Sequence, residues 1–129
     1  MASKETILVV DDDRVTVQVL ANHMRERGYN VATAADAMQA VMYSLRGPLS
    51  AIFLDIKLPG GTGLDVLKKL KSSVRTTHIP VIIMTGLDDP AIPQKARELG
   101  ADEFLRKPLD LPQVTQALNR LLGESMAGG

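Results

Sequence analysis

Short apolar runs, each stopping abruptly at polar or charged residues and each followed by a stretch with helical spacing, constrain this chain more than any other feature. Ile7 to Val10, mostly β-branched, stops at Asp11-Asp12-Asp13; Leu49 to Leu54 stops at Asp55; Val81 to Met84 stops at Thr85-Gly86. Apolar runs of this length without alternation read as strands buried on both faces. Tyr29 to Ala34 and the brief Glu103-Phe104-Leu105 bring the number of expected strands to five.

The intervening segments read as helices. Val15, Val17 and Val19 alternate like a strand, whereas Val17, Leu20, Ala21 and Met24 follow helical spacing and Gly28 supplies a terminator, so a helix is expected. Asp36 is placed to cap a second helix carrying Met38, Val41, Met42 and Leu45 on one face, with Gly47-Pro48 ending it. A third, from about Leu64, is expected to bury Val66, Leu67, Leu70 and Val74 and to leave Lys68, Lys69 and Lys71 in water. A fourth runs from about Ala91 to Leu99 with Pro90 and Pro93 in its first turn, where a missing N–H costs least. The last has Asp110 as cap, Pro112 in its first turn, and Val114, Ala117, Leu118, Leu121 and Leu122 as its stripe.

Five strands alternating with five helices predict the α/β class: a doubly wound, five-stranded parallel sheet covered on both faces. The 129 residues amount to one domain, expected over 1–123, with 124–129 as a flexible tail. In such a sheet the carboxyl ends of all strands share one edge, where ligands bind. That edge collects Asp11, Asp12 and Asp13, then Asp55 and Lys57, then Thr85, then Lys107.

Alone, Asp55 could be explained as the cap of a turn through Pro59, Gly60, Gly61 and Gly63. In company it belongs to an acidic cup with one hydroxyl and one cation. Clustered carboxylates raise one another's pKa unless something positive sits among them. Oxygen ligands without His or Cys favour magnesium or manganese over zinc, and magnesium accepts one or two carboxylates plus phosphate oxygens. Lys107 and Thr85 are then suited to hold a phosphoryl oxygen, by charge and by hydrogen bonding.

Composition removes other chemistries. There is no cysteine, hence no disulfide and no thiolate nucleophile or ligand, and His23 and His78 lack metal-ligand spacing and read as surface or packing residues. Fifteen basic residues balance fifteen acidic ones, which argues against nucleic acid as the main partner. No apolar run approaches the ~18 residues of a membrane span, so a soluble, cytoplasmic protein is expected.

Val9-Val10-Asp11-Asp12, Leu54-Asp55-Ile56-Lys57-Leu58-Pro59-Gly60, Val81-Ile82-Ile83-Met84-Thr85-Gly86 and Lys107-Pro108, in order and at this spacing, resemble the response-regulator receiver domains of two-component signalling over about Glu5 to Leu122. The resemblance implies a flavodoxin-like sheet of order 2-1-3-4-5 and a phosphoacceptor at Asp55. It implies that Asp12 binds magnesium directly and Asp11 largely through water, with Asp55 and the backbone carbonyl of Lys57 completing the metal ligands. Thr85 and Lys107 would bind phosphoryl oxygens, Lys107-Pro108 would be a cis peptide, and Phe104 would be the switch aromatic. The partners it implies are a histidine kinase or histidine phosphotransfer protein, and a downstream protein target, for a monomer or weak dimer. His23 and the exposed face of the first helix would lie near the kinase docking site.

Three points stand beside the resemblance. Asp13 reads better as the N-cap of the first helix than as a metal ligand. The Lys57 side chain is either an exposed lysine or a substitute cation for the cup. An aspartate-nucleophile phosphatase would place a second Asp two residues after the first, where this chain has Lys57, and neither G-x-x-x-x-G-K-[ST] nor G-x-G-x-x-G occurs in the right place for nucleotide binding. The remaining alternative is a receiver-like module that binds proteins without being phosphorylated.

Overall fold

Position in the sheet tracks the apolar content of each strand. The computed structural model describes residues 5–123. β1 (Thr6–Val10), β3 (Ala51–Asp55) and β4 (Val81–Thr85) are buried almost throughout, whereas β2 (Asn30–Ala34) and β5 (Glu103–Arg106) carry polar residues and are half-exposed. All five pair in parallel in the order β2-β1-β3-β4-β5, so the buried strands are central and the mixed ones are edges.

The helices are α1 (Arg14–Glu26), α2 (Ala37–Arg46), α3 (Gly63–Lys71), α4 (Ala91–Glu98) and α5 (Leu111–Leu122). Successive strand residues point to opposite faces, which divides the core in two. Leu8, Val10, Ile52, Leu54, Val81 and Ile83 face α2, α3 and α4. Ile7, Val9, Phe53, Ile82 and Met84 face α1 and α5, where Leu20, Met24, Val114 and Leu118 meet them. Phe53 is fully buried at the middle of the second layer, a burial worth about 2 kcal/mol on area grounds. Among the described residues no helix is long and apolar enough to cross a membrane.

The fold class and the helical reading of the first segment agree with the sequence expectations, and most element ends differ by one or two residues, α3 ending further short of its expected extent. Several side-chain placements differ more. On α2 the buried residues are Ala40 and Ser44, with Ala37 and Val41 packed against the core; Met38, Met42 and Leu45 are exposed. The helix is locked in this rotation at its start: Asp36 accepts from the Gln39 N–H at 2.8 Å, and the Ala37 N–H donates to Pro59 O at 3.2 Å. Small residues therefore face the sheet and the larger ones turn aside.

Val74 lies beyond the end of α3 and is 90% exposed, not buried on that helix. Of the two readings of His23, surface or packing, the second holds: it is buried and shares a 2.9 Å hydrogen bond with the Thr115 hydroxyl, joining α1 to α5. Burial, and then the neighbouring Arg27, keep its imidazole below the ordinary histidine pKa. Asp110 occupies the N-cap position of α5 without a side-chain cap bond. The expected tail, 124–129, lies outside the described residues.

Candidate functional site

Asp11 and Asp55 become neighbours through strand pairing. β1 and β3 run side by side with Val10 opposite Leu54, so the next residue on each strand emerges at the same place on the carboxyl edge. Asp11 is held there by its N–H bond to Ala34 O at 3.1 Å, and Asp55 is the last residue of β3, only 6% exposed. Asp12 is exposed beside them, and one carboxylate oxygen from each of Asp11, Asp12 and Asp55 lies within 4.8 Å of the others.

Lys107 comes to this cup from the far side of the sheet. Its N–H donates to Thr85 O at 2.8 Å, which ties the exit of β5 to the end of β4, and the following Lys107–Pro108 peptide is cis. Its Nζ then donates to Asp11 Oδ2 at 2.7 Å and to Asp55 Oδ2 at 3.1 Å. Burial alone would lower the lysine pKa, but the hydrogen bonds to Asp11 and Asp55 outweigh it and hold the ammonium above the ordinary value. For Asp55 burial prevails: burial first, then the Asp11 carboxylate, push its pKa up to about 6, with Lys107 opposing.

Thr85 is buried next to this group, and its Oγ1 accepts from the Leu87 N–H at 2.9 Å, bracing the start of the β4–α4 loop. Phe104 stands opposite Ile83 in the β4–β5 register and packs, half-buried, against the layer that holds α4. Lys57 is exposed and starts a two-residue ladder, Lys57–Leu58 with Gly61–Thr62, and its side chain makes no ion pair with the carboxylates of the cup, where Lys107 does. Asp13 is a cap: it accepts from the Val15 N–H at 3.1 Å and the Thr16 hydroxyl at 2.8 Å, contacts that hold its carboxyl below the usual range.

Two features of the site went unread in the sequence. Gly63, at the first position of α3, donates its N–H to Ile56 O at 2.7 Å and sits so close to the Asp55 carbonyl that a Cβ would collide with it. Four of the residues from Pro59 to Gly63 are breakers, and nothing in their order distinguishes the glycine required for close approach from those required for the turn. Thr62 is the N-cap of that helix, accepting from the Asp65 N–H at 3.1 Å; Thr followed three residues later by an acid was the available signal.

The donor set fits a hard divalent cation. Three carboxylates converge with a single ammonium between two of them, leaving excess negative charge, and every candidate ligand atom is oxygen. Comparison with known proteins agrees with this geometry. The model of the response regulator receiver domain family matches residues 7–119.

The chain belongs to that family. Among curated relatives of this receiver, the response regulator PleD of Caulobacter vibrioides is 39% identical over 104 residues, covering 81% of this chain and 23% of PleD. Sporulation initiation phosphotransferase F of Bacillus subtilis is 34% identical over 119 residues, covering 92% of this chain and 94% of that protein. The receiver thus spans less than a quarter of PleD and almost all of the phosphotransferase. The solved receiver domain of the sensor histidine kinase PA1611 from Pseudomonas aeruginosa, which has a magnesium ion coordinated in its active-site cleft, matches at a TM-score of 0.85 and 26% identity, covering 94% of this chain and 99% of that one.

Proposed function

We propose that this receiver accepts a phosphoryl group on Asp55 from a phosphohistidine of a histidine kinase or histidine phosphotransfer protein. The observation that carries the reading is the Asp55 carboxylate itself, fixed at the end of a buried strand with the Lys107 ammonium 3.1 Å from one oxygen and two further carboxylates at its side. An Asp55 oxygen attacks phosphorus, the P–N bond breaks, and its electron pair returns to the imidazole nitrogen. The products are an aspartyl phosphate and a free histidine.

Lys107 stays beside the transferred group and balances part of its charge. Asp11, Asp12, Asp55 and the Lys57 carbonyl would hold magnesium or manganese, which when bound supplies charge neutralisation at the phosphoryl oxygens. The chain acts as a phosphoacceptor that assists its own modification and its reversal by water.

Thr85 links this chemistry to a surface. Its hydroxyl now accepts from the Leu87 N–H; turning toward a phosphoryl oxygen breaks that bond, and the β4–α4 loop must rearrange to satisfy the freed donor. Phe104, half-buried against the same layer, then moves into the space released, and a downstream protein reads the altered α4–β5 surface. Incubation with radiolabelled acetyl phosphate and magnesium tests the reading. The wild-type chain should incorporate a label that Asp55→Asn abolishes; equal labelling of the variant contradicts the assignment.

A further inference from the structure

Two of the apolar side chains that α2 turns away from the sheet, Met38 and Met42, line a cavity. It holds about 830 Å³ between α2 and α3, with Ala37, Val41 and Val66 belonging to the packed layer beneath. Met38, Met42 and Leu45 recur at i, i+4 and i+7 on one side of the helix while being 73%, 46% and 38% exposed. A contiguous apolar stripe bordering a groove is the kind of surface that marks an interaction site. Methionines suit such a surface, because their unbranched, polarizable side chains adapt to an incoming shape.

The opposite rim is basic. Lys68 and Lys69 border the groove from α3, and neither is in an ion pair with a described residue. Beyond its far end Arg75 is held against α2 by a 2.9 Å bond to Leu45 O, and Asp65 is the one acidic residue lining the cavity. The near end is formed by Gly60 and Gly61, in the hairpin that follows Asp55.

We propose that this groove binds an amphipathic helix of a partner protein, with apolar side chains at i, i+3 or i+4, and i+7 set between α2 and α3 and an acidic flank against Lys68 and Lys69. The stripe from Met38 to Leu45 is about 10 Å long, the length of two helical turns, and no strand of the main sheet lines the groove to recruit an extended peptide. A second copy of this chain fits poorly. In a two-fold contact through this face the lysines of both copies, and Arg75 with them, would gather in one interface against a single acid from each. The lining of the groove includes neither Asp55 nor Phe104.

The test is an NMR titration of the full chain, labelled at amide nitrogen and methionine methyl groups. The probe is a synthetic helical peptide of about four turns with Leu anchors at i, i+4 and i+7 and Glu on both flanks; its control has Lys in place of Glu. Saturable shifts are expected at Met38, Met42 and the amides of Asp65 to Ser73. Affinity should fall about five-fold or more with the Lys-flanked control and with Lys68→Glu/Lys69→Glu, and binding should be lost in Met38→Ser/Met42→Ser. These positions are exposed, and circular dichroism confirms that the variants fold. Any of four results overturns the proposal: no shifts at millimolar peptide, equal affinity for both peptides, shifts centred on α4 and Phe104, or dimerisation that the methionine variant removes. Flotation of the chain with phosphatidylserine vesicles that depends on Met38 and Met42 would assign the face to a membrane surface and likewise overturn it.

Discussion

Asp55 is pulled between position and charge. Burial at the end of β3 fixes where its oxygens lie, and the same burial, with Asp11 beside it, raises its pKa to about 6. The folded protein therefore binds this proton more tightly than the unfolded chain, whose aspartate titrates near 3.8. The stability that follows is fully present below pH 3.8 and lost as pH rises through about 6. Asp55→Asn should remove that loss: at pH 7 in chelator it should be more stable than wild type by on the order of 2 kcal/mol, a difference that vanishes by pH 4 in urea titrations. Added magnesium should raise the wild-type midpoint more than that of the variant.

Gly63 offers a steric test at the same scale. Gly63→Ala sets a methyl against the Asp55 carbonyl and should cost about 2–4 kcal/mol in urea unfolding, whereas Gly60→Ala, at φ 80° in open space, should cost about 1 kcal/mol. Asp11 and Asp55 could be located in the sequence because each directly follows an apolar run, and Lys107 because it follows the brief last strand; both are one-dimensional signals. The need for Gly63 arises from two chain segments passing each other, which no local pattern records.

At the scale of elements, period and composition were sufficient for existence and order. The rotation of α2 was not legible, because the helix carries apolar residues on more than one side: Ala37, Ala40 and Val41 compete with Met38, Met42 and Leu45 for the sheet. The contacts at its N-terminus, to Asp36 and across to Pro59, decide between them. Similar-looking caps also differ. Asp36 bonds the Gln39 N–H while Asp110 makes no side-chain cap bond, although both stand at N-cap positions. Asp36→Ala should therefore lower stability by about 1 kcal/mol, and Asp110→Ala by under about 0.5 kcal/mol, as thermal or urea unfolding will show.

For the whole molecule, the parallel sheet gathers residues far apart in sequence at one edge, and the Lys107 contacts with Asp11 and Asp55 join residues 96 and 52 positions apart. Pairing β1 with β3 and tying β5 to Thr85 makes a single charged group from four strand ends. The two layers of helices have different tasks: α1 and α5 are joined through His23 and Thr115, while the α2–α3–α4 layer carries both Phe104 and the open methionine groove. The central claim is that Asp55 carries the phosphoryl group. It is tested most directly by phosphorylating the chain with acetyl phosphate and magnesium, reducing the acyl phosphate with borohydride, and locating the resulting homoserine by peptide mass spectrometry. Conversion at position 55 alone is the predicted result, and conversion at Asp11, Asp12 or any other acidic residue with Asp55 intact would contradict it.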